Sequence, residues 1–274
     1  MQKPKKGRKV ALVAGLALVV LSVAMVWTYW KEIRFFLKFE RLEKNAQGYP
    51  EYRHRETGIV FVGLPGGTFE MGSPESESGR MEWEGPVHKV SLSPFLIAKY
   101  EVSQAEWKKV MGNRRSRFEG DTLPVGNVFW EDCQEFCTKA GLSLPTEAEW
   151  EYACRAGTSG AYAGTGKLDD MGWSKENSGG PPHPVGEKLP NDFGLHDMHG
   201  SVLEWCEDWF QEDFYQESTG VIDPLCENSG SGSRVVRGGS WYDPARVCRS
   251  AGRGRIPPSS RIEALGFRPT RSPP

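Results

Sequence analysis

Residues 144–155, LPTEAEWEYACR, carry the most specific folding signal in the chain. Thr146 and Glu149 have the spacing of a capping box, in which each side chain satisfies a backbone amide that the first helical turn leaves free. Pro145 precedes this cap, and Gly157 stands where a helix commonly ends in a left-handed residue. The stretch therefore predicts a short helix that begins after Thr146 and stops at Gly157.

Two further helices are predicted upstream of this stretch. Ser103 and Glu106 repeat the capping pattern and open a helix that stops at Gly112. The other helix runs over residues 130–140 and ends at Gly141. Its apolar residues recur at helical spacing, at Cys133, Phe136, Cys137 and Ala140. We interpret these cysteines as small core residues.

Short strands are predicted at widely separated places in the chain. The segments are IVFVG (59–63), HKVSLSPFLIAKYEV (88–102) and SRVVRGGSW (233–241). The chain also contains 32 Gly and 19 Pro, residues that favour turns, so much of the backbone is expected to be loop. These features predict an α+β fold with high irregular content, in one domain at residues 58–270.

The N-terminus predicts a membrane anchor. Residues 1–9 are basic, and residues 10–30 contain no charged side chain. A helix of that length crosses a hydrocarbon core of about 30 Å, whereas the apolar region of a cleaved signal peptide spans only about 7–15 residues. We therefore expect a cytoplasmic tail (1–9), a transmembrane signal anchor (10–30) and a stalk (31–57). Lys and Arg flank the anchor on both sides, and the uniformly basic tail favours an extracytoplasmic domain.

Composition and motif searches exclude several functional classes. The 34 basic and 36 acidic residues nearly balance, so no field would gather nucleic acid. The six cysteines form no CxxC pair, which argues against a zinc ribbon. The sequence also lacks GxSxG, HExxH and GxxxxGK[ST] motifs.

A set of motifs in fixed order carries a family resemblance. These are GGTFEMGS (66–73), LPVGNVFWEDCQEFC (123–137), LSLPTEAEWEYACRAG (142–157), FGLHDMHGSVLEW (193–205), RVVRGGSW (234–241) and LGFRP (265–269). Together they resemble the formylglycine-generating enzyme family, also called sulfatase-modifying factors, over about residues 58–268. The resemblance implies a domain related to the C-type lectin fold. It also implies an oxidase that binds copper through two cysteine thiolates and converts a cysteine of a client sulfatase to formylglycine.

The resemblance places the copper site at Asp243 and Cys248. Cys248 keeps one family thiolate, whereas Asp243 supplies a hard oxygen ligand that discriminates against Cu⁺. Ser240 matches the serine that lines the oxygen pocket in catalytic members. Cys206 could supply a substitute thiolate or form a disulfide with Cys248, or both thiols could be buried and free. Cys154 lacks its usual family partner, because that position is Pro269, and is expected to be unpaired.

The resemblance also implies calcium binding. The family ligand set maps to four residues of one turn, Asp197, Gly200, Val202 and Glu204, whose carboxylates and carbonyls suit Ca²⁺. A solvated acidic turn is the competing interpretation. A second family site maps to Asn177 and Ser178, but its downstream loop is shortened here. We expect His196 and His199 to be surface or hydrogen-bonding residues rather than metal ligands.

Three functional hypotheses remain open. The first is a membrane-anchored, divergent oxidase or maturation factor that acts on a protein substrate through Cys248. The second is a non-catalytic, lectin-like module that binds a peptide, glycan or protein. The third is a formylglycine-generating oxidase in which Cys206 replaces the lost copper ligand. Trp205, Trp209 and Trp241 lie close in sequence to the site and suit either catalysis or binding.

Overall fold

The computed structural model of the chain describes residues 29–273. The predicted cytoplasmic tail (1–9) and nearly all of the predicted anchor (10–30) therefore lie outside the described residues. No helix among residues 29–273 combines the length and the apolar character needed to cross a bilayer.

The largest sheet has five strands in the order β1-β2-β3-β6-β11, and all neighbours are antiparallel. Its strands are β1 (Phe39–Lys44), β2 (Pro50–His54), β3 (Val60–Leu64), β6 (Phe95–Ala98) and β11 (Thr270–Arg271). Residues 29–38 form a helix, α1, that leads directly into β1. The Phe35 ring from α1 stacks on Phe39 at 4.6 Å, and both side chains are buried.

This sheet extends into the predicted stalk. Strands β1 and β2 both fall within residues 31–57 and form one edge of the sheet. Phe39 packs edge-on against Phe61 of β3 with 5.6 Å between ring centroids. Part of the segment assigned to a stalk is therefore joined to the domain core, through apolar residues whose spacing gave no strand signal in the sequence.

Two smaller sheets complete the strand arrangement. One has the order β10-β7-β8-β9, in which β10 and β7 are parallel and the other pairs are antiparallel. Its strands are β7 (Leu203–Trp209), β8 (Arg234–Arg237), β9 (Arg253–Ile256) and β10 (Leu265–Gly266). The other is a hairpin of β4 (Gly67–Met71) and β5 (His88–Leu92). The predicted strand over 88–102 is thus two strands, β5 and β6, because Pro94 cannot donate to a ladder and the chain changes sheet there.

The three predicted helices form, together with two single-turn helices. They are α2 (Gln104–Met111), α3 (Trp130–Ala140), α4 (Glu147–Arg155), α5 (Leu168–Met171) and α6 (Phe214–Glu217). Both predicted capping boxes are present, at Ser103 with Glu106 and at Thr146 with Glu149. Gly112 and Gly141 adopt the left-handed conformation at the ends of α2 and α3. The predicted α+β class is confirmed.

Helix α4 is buried on nearly all sides, although it is rich in charged residues. Every residue of α4 except Glu149 is buried, including the carboxylates of Glu147 and Glu151. Arg253 binds Glu147 through two hydrogen bonds of 2.6 and 2.7 Å. Glu151 accepts from Arg155 at 2.8 Å and from Arg237 at 2.5 Å. Burial alone would raise the pKa of Glu151, but these two guanidinium groups outweigh it and lower that pKa.

We predict that Glu151→Ala lowers the free energy of unfolding by about 3–5 kcal/mol, because it leaves buried guanidinium charge without its partner. The exposed pair Glu135–Lys139 has the same i,i+4 spacing. Glu135→Ala is therefore the matched control and should cost less than about 1 kcal/mol. Urea unfolding of the full-length chain measures both, and equal costs for the two variants would show that the buried pair is not the stabilising element.

Candidate functional site

A double-glycine turn after β8 builds the predicted copper site. Gly238 and Gly239 have φ values of 90° and 70°, a region that residues with a Cβ rarely adopt. A Cβ at Gly239 would lie 2.6 Å from Cys248 Sγ, so the glycine also gives the thiol its room. After the turn, the Trp241 amide donates to the Ser201 carbonyl at 2.7 Å.

The structure brings Ser240 and Asp243 into direct contact. Ser240 Oγ donates to Asp243 Oδ2 at 2.6 Å, and the Asp243 amide donates to the Ser240 carbonyl at 3.0 Å. Cys248 Sγ lies 3.9 Å from the Pro244 carbonyl oxygen. The serine hydroxyl is therefore used to hold the aspartate.

Cys248 is fully buried, which suppresses its reactivity. Burial is the main cause that raises the pKa of the Cys248 thiol to about 12, and the negative charges of Asp243 and Glu176 add to it. Cysteine acts as a nucleophile or a metal ligand in its thiolate form. In these surroundings Cys248 is a protonated thiol at neutral pH.

Cys206 lies in surroundings that differ from those of Cys248. It lies in β7 and is also buried, and burial raises its pKa well above the usual value. The charges that act most on Cys206 are those of Glu147 and Asp208, whereas Asp243 and Glu176 act on Cys248. All six cysteines are free in the part of the chain that the structure describes, so the Cys206–Cys248 disulfide is not formed, and Cys154 is unpaired as predicted.

The residues present do not fit the two-thiolate copper centre of the family. One thiolate position is an aspartate held by Ser240, and the other is a buried thiol with a high pKa. Within residues 29–273, no group of three or more His, Cys, Asp or Glu side chains is placed to hold a metal ion. We therefore derive no copper-dependent step for this chain.

The predicted calcium turn has one carboxylate that lacks a partner. Asp197 is buried, with φ at 59°. Its Oδ2 accepts from the Gly186 amide at 2.6 Å, but its buried Oδ1 has no hydrogen-bond partner. Burial raises the pKa of Asp197 to about 6, and the nearby negative charge of Glu204 contributes. An orphaned buried carboxylate oxygen in an acidic environment fits a hard cation such as Ca²⁺.

Glu204, which the resemblance implies as a calcium ligand, is paired with two side chains of the protein. Both of its oxygens bind the Arg268 side chain at 2.7–2.9 Å, and Trp150 Nε1 donates to Oε2 at 2.7 Å. Glu204 therefore joins the GFR segment to α4, and Asp197 with the carbonyls of Gly200 and Val202 is the better candidate ligand set.

Sequence reasoning missed Glu101, a third buried carboxylate at this turn. Glu101 accepts from Ser201 Oγ and from the Val202 amide, both at 2.9 Å. Burial and the charges of Asp197 and Glu204 raise its pKa well above the usual value. Its separation from the turn by a hundred residues left no spacing signal in the sequence. The charge of Arg268 acts on all three carboxyl groups, and its side chain hydrogen-bonds to Glu204.

At the second predicted calcium site, the oxygens of the first two positions already accept hydrogen bonds from the protein. Asn177 Oδ1 accepts from the Ser174 amide at 2.8 Å, and the Ser178 carbonyl accepts from His183 Nε2 at 2.8 Å in one tautomer. Each of these oxygens therefore keeps only one lone pair for a cation. The oxygens of Asn177 and Ser178 therefore hold their own loop together, which argues against a site there.

His196 and His199 are both hydrogen-bonded to backbone, in line with the prediction for them. His196 Nδ1 pairs with the Lys188 carbonyl at 2.8 Å, and His199 Nδ1 pairs with the Cys248 carbonyl at 2.8 Å. Nε2 of His199 accepts from the Ala163 amide at 3.0 Å. His199 thus positions the backbone of Cys248 and leaves no ring nitrogen for a metal.

Comparisons with known proteins agree with these motifs. A family profile for the sulfatase-modifying factor enzyme 1-like domain matches residues 46–273. The formylglycine-generating enzyme of Streptomyces coelicolor is 33% identical over 81% of this chain and 92% of its own length. The chaperone protein LppX of Paenibacillus barcinonensis is 27% identical over 67% of this chain and 82% of its own. The solved structure of PvdO from Pseudomonas aeruginosa is 29% identical, with a TM-score of 0.73 over 81% of this chain and 97% of its own.

We predict that Cys248 in the folded chain resists alkylation. With a pKa near 12, its thiolate fraction at neutral pH is about a thousandfold below that of an exposed cysteine. Iodoacetamide labelling followed by peptide mass spectrometry should show slow modification at about pH 7, with the rate still rising beyond about pH 9. The urea-unfolded chain is the control and should react fast; rapid labelling of the folded chain with an apparent pKa near 7 would contradict the assignment.

Proposed function

We propose a function from one premise, that the chain belongs to the family of sulfatase-modifying factor enzyme 1-like domains. Within that family it acts as a maturation factor of the non-catalytic kind, which binds a protein client and does not oxidise it. A single observation carries this proposal: Asp243 replaces one copper thiolate, beside a buried Cys248 whose pKa is raised to about 12.

A protein client suits the surface around the site. Two adjoining segments, residues 77–84 and 240–249, form this surface. Three of their apolar side chains are exposed, namely Met81 (49%), Tyr242 (67%) and Val247 (36%). Arg249 ties these segments together, because it binds Glu77 and Glu84 across the gap at 2.5–2.9 Å. Exposed apolar side chains on a rigid surface are typical of protein-binding sites. A relative named as a chaperone protein supports a role in client binding.

The membrane anchor is part of the proposal. Residues 10–30 would tether the chain, with residues 1–9 in the cytoplasm and the domain outside it. Tethering confines the domain to the membrane surface, which raises its effective concentration for clients held or secreted there.

Calcium is proposed as a stabilising ion. Asp197 Oδ1 would bind it together with the carbonyls of Gly200 and Val202, and the ion would favour the ionised forms of Asp197 and Glu101, whose pKa values are raised by burial. The cation supplies charge neutralisation only. Its effect is to hold the turn that carries His199, whose Nδ1 in turn pairs with the Cys248 carbonyl.

The hypothesis of a formylglycine-generating oxidase that uses Cys206 predicts a copper site that depends on Cys248, whereas the non-catalytic proposal predicts none. We expect the full-length chain to bind no stoichiometric Cu⁺ that depends on Cys248, because only one soft ligand is present. Asp243→Cys restores the second thiolate and should create a Cu⁺ site that Cys248→Ser abolishes. Competition with a coloured Cu⁺ chelator under anaerobic conditions measures both. Cys248-dependent copper in the unmodified chain, lost in Cys206→Ser, would instead establish the substitute-ligand oxidase.

Calcium should raise the melting temperature. At a concentration of about 100 times the dissociation constant, a ligand adds about 2.7 kcal/mol of stability, which corresponds to several degrees in a domain of this size. Asp197→Ala should abolish the shift, whereas Asp192→Ala, at an exposed carboxylate nearby, should keep it. Scanning calorimetry with Ca²⁺, Mg²⁺ or chelator tests this. A shift that survives Asp197→Ala would place the ion elsewhere.

Client binding itself can be tested in the native host. A photo-cross-linking amino acid placed at Tyr242 should capture the same defined protein whether or not Cys248→Ser is present. The same amino acid at Lys108, an exposed residue of α2, is the control and should not capture it. Capture that requires Cys248, or a captured client whose cysteine is oxidised, would contradict a non-catalytic role.

A further inference from the structure

The hairpin β4–β5 directs part of its backbone away from its own ladder. Thr68 lies opposite Ser91, and Glu70 lies opposite Lys89. The Ser91 amide donates to the Val221 carbonyl at 3.2 Å, and the Lys89 carbonyl accepts from the Gly220 amide at 2.7 Å. Both residues of β5 therefore point their backbone groups outward. In an antiparallel pair of strands, two directly opposed residues point their N–H and C=O groups either toward each other or both away from each other.

The same geometry applies to β4 on its other side. Because Thr68 and Glu70 oppose outward-facing residues, their N–H and C=O groups point to the outer edge of β4. The side chains agree, since Thr68 Oγ1 lies 2.8 Å from Ser91 Oγ, the close approach expected of a pair without ladder bonds. Among residues 29–273, β5 is the only strand that pairs with β4.

Side chains of α4 occupy the two ends of this outer edge. Tyr152 donates its hydroxyl to the Gly66 carbonyl at 2.6 Å. At the other end, the Gly72 amide donates to Glu151 at 2.8 Å, and Arg155 donates to the Gly72 carbonyl at 2.7 Å. The backbone between these points, at Thr68 and Glu70, faces a cleft of about 880 Å³.

Aromatic rings line the inner part of this cleft. Phe193 packs against Tyr49 at 5.0 Å and against Tyr152 at 5.3 Å, and Phe69 packs against Tyr152 at 5.4 Å. Tyr49 and Phe69 are half-buried, so part of each ring surface is open to the cleft. The cleft therefore combines backbone hydrogen-bonding groups with an aromatic cup formed by Tyr49, Phe69, Tyr152 and Phe193.

We propose that this cleft binds an extended peptide segment, which adds a strand to the outer edge of β4. The N–H and C=O groups of Thr68 and Glu70 are two residues apart, the spacing with which a strand offers its edge to a partner. One large apolar side chain of the peptide occupies the aromatic cup. The occupant is a polypeptide rather than a glycan or lipid, because its backbone supplies the alternating donors and acceptors that this edge requires. The proposal does not depend on the chemistry of Cys248.

A proline substitution isolates the edge from the rest of the cleft. Glu70→Pro removes the outward amide of residue 70, and it costs no bond to β5 because that amide does not face the ladder. Glu70→Ala is the matched control, since it removes the same side chain and keeps the amide. A library of random displayed peptides is selected on the full-length chain, and enriched peptides are then measured by fluorescence anisotropy.

We expect the enriched peptides to carry a large apolar residue and to bind the unmodified chain and Glu70→Ala equally. Glu70→Pro should weaken them by about fivefold, the cost of one lost backbone hydrogen bond. Should Glu70→Pro unfold, N-methylation of successive peptide amides gives the same answer on the unmodified protein, with loss at alternate positions. The proposal is overturned if no peptide is enriched, if neither change weakens binding, or if the edge instead pairs two copies of this chain into a dimer.

Discussion

The buried charges around α4 are the constraint on which the rest of the structure depends. Glu147 and Glu151 have left water, and that cost is offset only where the surrounding guanidinium groups supply well-aligned hydrogen bonds. Arg237 does so through its two terminal nitrogens, which donate to the carbonyls of Ser250, Ala251 and Gly252 as well as to Glu151, while its buried Nε has no hydrogen-bond partner. A loop with little regular structure is thereby fixed in place by a side chain from a neighbouring strand.

This arrangement explains how a chain so rich in loops keeps a defined site. Arg268 bonds to the carbonyls of Ala98 and His196 while it binds Glu204, and Arg253 bonds to the Trp83 carbonyl while it binds Glu147. Each arginine supplies donors to backbone that has no ladder partner. The arginines of the buried ion pairs therefore fix the backbone where sheet hydrogen bonds do not. The segments that carry Cys248 and Asp197 depend on these arginines.

Local chemistry in the sequence determined the helices well, because a capping box and a terminal glycine lie within a few residues of each other. The strands were harder to predict. The hairpin of β1 and β2 carries polar, charged residues, and it acquires its place by pairing β2 with β3 and by packing Phe39 against Phe61. Prediction of the site was limited in the same way. Asp243 and Cys248 could be located from motifs, whereas Glu101 and the pairing of Glu204 with Arg268 depend on contacts between distant segments.

The absence of disulfides among residues 29–273 has a consequence for biogenesis. A domain held by ion pairs and core packing needs no oxidant to fold, and its stability does not follow the redox poise of its surroundings.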